Sequence, residues 1–328
     1  MQRKLCFHQP VKLKPAFQNY IWGGTKFRDY YRKDTPKNWQ KIAESWELST
    51  HEHGLTTIAE GDFKDWTLKQ YLDKAGPKIL GKRFATTRLP ILFKLIDAKD
   101  NLSVQVHPTD DYARKYEKQM GKTEMWYILD AEPKSFLYYG FKKKINAKEF
   151  AQRIADQTLT EILQAVPVKK GDVFFIPAGT LHAIGKGILI AEIQQSSDLT
   201  YRVYDYGRVG DDGKPRELHI EKALEVTKLE KAHPRKMHPA IPLQKKTQIQ
   251  TLASCPYFVV KELKLDQEIE LLVLDDTYQV LFATKNDFVL TFENKKLKIK
   301  EGETVFLPAD LGNYKITGSG ELLMITDN

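Results

Sequence analysis

Cysteine is scarce in this chain, with two in 328 residues, Cys6 and Cys255. They lie far apart and neither belongs to a C-x-x-C or similar ligand spacing. That excludes a disulfide framework and a cysteine-built metal knot, and it fits a reducing cytoplasm, which is the expected location. Long apolar runs are also missing. The longest stretches, such as Ile91-Leu92-Phe93 and Val173-Phe174-Phe175-Ile176, have strand length and fall far short of the ~20 residues that span a bilayer. No membrane partner is therefore expected. Residues 1–10 are basic but hold no apolar core and no small-residue cleavage site, so no secretory signal is read there. A strong charge imbalance is absent too: 51 Lys+Arg against 43 Asp+Glu give +8. The cations are scattered, with short clusters at Lys142-Lys143-Lys144 and Lys295-Lys296 rather than one stripe. No DNA- or RNA-binding motif accompanies them, so a solvated surface or a small anionic ligand explains the excess better than nucleic acid. No coiled-coil pattern is present, and a monomer or weak homo-oligomer is expected.

What the chain does contain is short runs of Val, Ile, Phe and Tyr bounded by Gly, Pro and Asn. These predict strands over 91–96, 103–106, 126–129, 135–139, 172–176 and 189–194. Helical spacing and N-terminal signals predict helices over 67–75, 110–120 and 146–166. Residues 228–250 are rich in Lys, His and Pro and lack periodicity, so they read as a connection. Strands resume over 257–263, 271–274, 279–283, 288–292 and 322–325. The expected organisation is a mainly β protein with inserted helices, built as sandwich or barrel modules, with one domain over 1–240 and a smaller one over 241–328. One internal repeat supports two related modules. Gly171 and Gly302 are each followed by five residues and a proline, Pro177 and Pro308. Five residues beyond the proline stands His182 in the first copy and Asn313 in the second, so only the first copy offers a strong metal ligand.

Three segments supply metal donors. In "LSVQVHP", Gln105 and His107 are separated by one residue, and on a strand such a pair shares a face. Glu124 opens an apolar strand in "GKTEMWY", and His182 follows the proline turn in "IPAGTLHAI". Two imidazoles, a carboxylate and an amide oxygen suit zinc or another divalent first-row ion. Taken singly, each of these residues is more often a hydrogen-bonding side chain than a ligand.

The segment "GDVFFIPAGTLHAI" resembles the second cupin motif, with Lys186 at the place of the motif's late Asn. Gln105-x-His107 stands where the first motif usually has His-x-His, and Glu124 comes late, beyond the 110–120 helix. This departure resembles the type I phosphomannose isomerase family. "NYIWGG" at 19–24, "AESWELSTHEHG" at 43–54, "LPILFKLIDAKDNLSVQVHP" at 89–108 and "DLTYRVYDYGR" at 198–208 resemble further family elements, and the length resembles the short bacterial members. The resemblance implies cupin-type jelly-roll modules and interconversion of mannose 6-phosphate and fructose 6-phosphate. It implies one zinc ion held by Gln105, His107, Glu124 and His182. It makes Arg202 the catalytic arginine, with Lys122 projecting into the same cavity. Lys94 and Ser103 become candidates for the phosphate, and Trp22 for the pocket wall or the core. One departure bears on mechanism. Longer members often have His-Lys-Pro-Glu where this chain has Gly121-Lys122-Thr123-Glu124, so the family's histidine cannot carry the proton here.

Two other readings stay open at this level. A non-enzymatic cupin would bind a sugar phosphate or metal without turnover. An iron-dependent cupin dioxygenase would consume oxygen, although Gln105 at a ligand position argues against it. Without the resemblance, Arg202 reads as a surface ion pair, and Lys94 and Lys122 as solvated strand residues.

Overall fold

The computed structural model describes residues 5–210, 213–233, 241–244 and 246–328. The connection expected over 228–250 lies partly outside the described residues, at 234–240 and 245. The chain forms two compact units. One gathers Met1–Ala16, Trp46–Phe93 and Met237–Asn328, and the other gathers Phe17–Ser45 and Lys94–Lys236.

The first unit is organised on a ten-stranded sheet that includes Val11–Lys14, Thr57–Ile58 and the strands from Ile241–Gln244 onward. Its core holds Leu263, Leu281, Phe288, Leu290, Val305, Tyr314 and Ile316. The strands expected over 257–263 and 271–274 are one fifteen-residue strand, Val259–Val273, paired along its whole length with Gly312–Thr326. The stretch from Lys264 to Glu270, which separates the two expected strands, is mostly polar. It stays extended because an antiparallel partner takes up its hydrogen-bonding groups. In the same unit, the helix Leu68–Ala75 begins at a capping box between Thr67 and Gln70.

Two further sheets, with most of their residues in the second unit, form a sandwich. One has the spatial order Val173–Ile176, Glu124–Ala131, Ile188–Gln195, Ile91–Ala98, Glu44–Leu48, Ala16–Gln18. The other runs Tyr201–Tyr204, Val104–Val106, His182–Ile184, Phe136–Phe141, Leu163–Pro167. Most neighbours in each sheet are distant in sequence, as the crossovers of a jelly roll require, while Glu44–Leu48 with Ala16–Gln18 and Phe136–Phe141 with Leu163–Pro167 are consecutive strands lying side by side. The facing sides interdigitate in a cluster of Trp126, Ile128, Ile176 and Ile190 with Leu137, Tyr139 and Ile184. A second cluster lies on the other side of the five-stranded sheet, where Val106, Tyr201 and Val203 pack with Phe150, Ile162 and Ala223 of the helices Ala147–Ala155, Leu159–Ile162 and Ile220–Val226.

The expected helix over 110–120 is Asp110–Tyr116. The one expected over 146–166 is broken. Asn146 caps Ala147–Ala155 by accepting the Glu149 N–H at 2.8 Å. The chain then turns through Gln157 at φ 57°, and Leu163–Pro167 is a strand paired with Phe136–Phe141. The tertiary pairing overrides a helical spacing that runs on in the sequence.

Candidate metal centre

The five-stranded sheet lines up the first set of side chains. In register, Gln105 lies between Arg202 on one neighbouring strand and His182 on the other, and His182 is opposite Tyr139. Directly opposed residues share a face. Tyr139 donates its hydroxyl to Phe175 O at 2.6 Å and belongs to the inter-sheet core, so the row Arg202, Gln105, His182, Tyr139 faces the six-stranded sheet. His107 follows Gln105 by two residues.

The six-stranded sheet supplies the opposing set. Glu124 pairs with Ile176 and Gln194, and Trp126 pairs with Phe174 and Glu192. Trp126 donates its indole N–H to Glu192 Oε2 at 2.8 Å and its ring stands 5.3 Å from that of His182. On the next strand, Lys94 Nζ lies 3.1 Å from Glu192 Oε1 and 3.4 Å from Glu44. A charged row thus crosses four strands of a buried sheet face.

The two sets meet at Glu124. Its Oε1 lies 3.3 Å from His182 Nε2 and its Oε2 lies 3.5 Å from His107 Nε2. The three ligand atoms fall within 4.8 Å of one another, and all three residues are buried. Gln105 borders the same point, with its amide nitrogen 3.5 Å from His182 Nε2. His107 Nδ1 stands 2.9 Å from Leu199 O, and His182 Nδ1 stands 2.9 Å from Thr180 O. A carbonyl only accepts, so each Nδ1 carries the hydrogen and each Nε2 turns a lone pair inward. Burial holds both histidines neutral: His182 is pushed down to about 4, and His107 lies well below its ordinary value, helped by Lys122. Neutral imidazole is the form that binds metal.

The carboxylate shows the same poise. Both Glu124 oxygens are buried without a hydrogen-bond donor among the described residues, although the Lys122 ammonium forms an ion pair with Oε2 at 3.0 Å. Burial first and the neighbouring Glu192 second push Glu124 up to about 7. For Glu192 burial acts upward as well, but Lys94 and Lys122 outweigh it and hold the group low. Lys122 also reaches His107 Nε2 at 3.1 Å and lies 3.9 Å from Glu192. With Glu124 ionised, Lys94, Lys122, Glu44, Glu124 and Glu192 together leave one unbalanced negative charge in a buried space, which a divalent cation would overcompensate by one. The convergent lone pairs, the undonated carboxylate and the charge deficit all fit a divalent metal.

The remaining sequence-derived candidates are distributed as follows. Arg202 is half-buried; its Nη1 donates to Glu217 O at 2.8 Å, while its Nε is buried with no partner among the described residues. Burial, then the charge of Arg216, lowers its pKa from the ordinary arginine range. Ser103 is buried two residues before Gln105. Trp22 packs in the apolar cluster with Trp126, beside Tyr20 at 5.6 Å between ring centroids. Lys94 and Lys122 are buried, so neither is the solvated strand residue that its sequence context suggests. Glu44 and Glu192 went unnoticed in the sequence. Their signal is an acid inside the strands "ESWEL", which also holds Glu47, and "ILIAEIQQ", matched by a lone base in "ILFKLIDA".

Known proteins with the same pattern complete the comparison. The type I phosphomannose isomerase catalytic-domain profile matches residues 11–161, and a mannose-6-phosphate isomerase cupin-domain profile matches 248–326. "Probable mannose-6-phosphate isomerase GmuF" of Bacillus subtilis (strain 168) is 38% identical over 96% of this chain and 98% of its own length. The mannose-6-phosphate isomerase of Streptococcus mutans is 33% identical over 98% and 99%. The crystal structure of mannose 6-phosphate isomerase from Bacillus subtilis superposes with a TM-score of 0.88 at 33% identity, covering 96% of this chain and 99% of that one. With sequence and structural likeness running over nearly its full length, the chain belongs to the type I phosphomannose isomerase family.

Proposed function

We propose that this protein interconverts D-mannose 6-phosphate and D-fructose 6-phosphate, moving a proton between C1 and C2 of the open-chain sugar through an enediol(ate). The observation that carries the reading is the buried meeting of His107, Glu124 and His182 beside Lys122. These residues and Gln105 would hold one zinc ion, the choice of zinc resting on a nitrogen- and oxygen-donor set with two neutral imidazoles. Zinc, when bound, supplies Lewis-acid polarisation of a sugar oxygen.

The protein's own groups do the rest. Lys122 presents a buried ammonium beside the ligands, where it stabilises negative charge developing on a sugar oxygen. Arg202 shares a sheet face with Gln105 and His182, and its permanent charge with an open Nε suits an enediolate or a substrate oxygen. Lys94 and Ser103, both buried, are assigned to the phosphate side, and Trp22 to the apolar backing of the pocket. Residue 121 is glycine and carries no titratable group, so the proton passes through another residue. The chemistry belongs to the part of the chain within 1–240, and 241–328 serves as a supporting module whose Asn313 is exposed and holds no ligand position. Cys6 and Cys255 are both free thiols, which supports a cytoplasmic enzyme.

The test is a coupled assay of fructose 6-phosphate formation from mannose 6-phosphate, run on the purified protein, after chelation, and after zinc is added back. Turnover lost on chelation and restored by zinc is expected. Folded, metal-binding protein with no turnover in any of the three states would sink the isomerase reading.

A further inference from the structure

The approach to Glu124 is held in an unusual way. Residues 121–123 precede the strand Glu124–Ala131 and lie outside the sheet ladder, yet three consecutive backbone N–H groups are taken up by fixed partners. Gly121 N–H donates to Asp110 Oδ1 at 2.8 Å, Lys122 N–H to Pro108 O at 3.1 Å, and Thr123 N–H to Gln195 Oε1 at 2.9 Å. Gln195 Nε2 in turn donates to the same Asp110 Oδ1 at 3.0 Å, and Gln195 N–H donates to Thr123 O at 3.1 Å. Gln195 is 1% exposed, so this side chain is committed to the clasp at both ends. The clasp extends to the other ligands. Gly179 N–H donates to His107 O at 2.8 Å, and Ala178 N–H to Thr123 Oγ1 at 3.4 Å, on the turn that leads to His182.

The geometry points to Asp110 and Gln195 as positioning residues that fix Lys122 and Glu124 against His107, in place of the side chains at 121 and 123. Gly121 and Thr123 are the positions where this chain departs from His-Lys-Pro-Glu, and both departures serve the clasp. A Cβ at 121 would stand 2.5 Å from Asp110 N and 2.8 Å from Pro108 O, so only glycine lets the two backbone segments close. A proline at 123 would have no N–H for Gln195. The clasp ends at Glu124 itself, whose Oε2 meets the Lys122 ammonium at 3.0 Å, so holding the backbone of 121–123 positions both members of that pair. The kinetic arm of the test rests on the isomerase reading; the other arms do not.

The experiment compares Gln195→Ala, Asp110→Ala and Asp110→Asn with the parent. Asparagine keeps the Oδ1 acceptor and removes the charge that faces Arg114 at 3.6 Å, so it isolates the hydrogen-bonding role. Amide exchange over 117–125 in metal-free protein should quicken by about tenfold or more in the two alanine variants, because the pinned N–H groups open. Zinc affinity by titration should fall by about 10–100-fold, and kcat by a similar factor with KM little changed. Asp110→Asn should stay near the parent in all three. Unchanged exchange and zinc affinity in folded Gln195→Ala would overturn the proposal, as would Asp110→Asn proving as damaging as Asp110→Ala. If Gln195→Ala does not fold, the Asp110 pair decides. If the parent itself shows no turnover, the isomerase reading fails, while exchange and zinc affinity still judge the clasp.

Discussion

Asp97 illustrates what burial does to a single side chain away from the metal ligands. It is 2% exposed and its Oδ2 accepts the Lys26 N–H at 2.8 Å. Desolvation outweighs that bond and pushes its carboxyl up to about 6. An unfolded aspartate titrates near 3.9, so the native state binds the proton more tightly. The stabilising contribution is complete below about pH 4 and is lost as pH rises through 6. Asp97→Asn keeps an acceptor without the charge. It should therefore raise unfolding free energy by about 2–3 kcal/mol at pH 8, from a shift of roughly two units at 1.36 kcal/mol each, and by almost nothing at pH 4. Urea unfolding at the two pH values checks this, and an equal gain at both would contradict it. Legibility at this scale follows spacing. Gln105 and His107 are readable because two residues apart on a strand means one face, and His182 because a glycine and a proline frame it. Glu192 and Glu44 were not, because their significance is pairing with Lys94 across strands far apart in sequence.

Elements were legible where turn chemistry is local. Gly171 and Gly302 both adopt positive φ, 88° and 82°, and both open a short buried strand, Val173–Ile176 and Thr304–Leu307. The repeat in the sequence is thus a repeat in structure, with His182 buried and Asn313 exposed at the matching places. The stretch 146–166 was not legible. Its apolar spacing runs on, and the break at Gln157 has neither glycine nor proline to mark it. A non-glycine residue at φ 57° bears a steric penalty from its Cβ of roughly 1–2 kcal/mol. Gln157→Gly should thus stabilise the protein by up to about 1 kcal/mol once the greater freedom of glycine in the unfolded chain is subtracted. A Tm that falls on this change would mean that Gln157 makes contacts worth more than its strain.

For the whole molecule, the sequence suggests a cut at one composition shift, whereas the compact units interleave: 46–93 counts with the C-terminal strands and 17–45 with the metal ligands. No glycine-, proline- or charge-rich linker marks residues 16, 45 or 93. These boundaries are set by which buried faces meet in space. That allocation has a measurable consequence, since Gln105, His107, Glu124 and His182 all belong to the unit of Phe17–Ser45 and Lys94–Lys236. Zinc that binds only the folded site stabilises it by RT ln(1 + [L]/Kd), about 4 kcal/mol at 1,000 times Kd. Amides that exchange only through openings that destroy the site should then slow by about a thousandfold, whereas those released by local fraying should not respond. Comparing chelated with zinc-loaded protein, the largest slowing is expected in Val104–Val106, Glu124–Ala131 and His182–Ile184, with a smaller response in Val259–Val273 and Gly312–Thr326. A response centred on the latter pair would move the metal to the Asn313 module and overturn the ligand assignment.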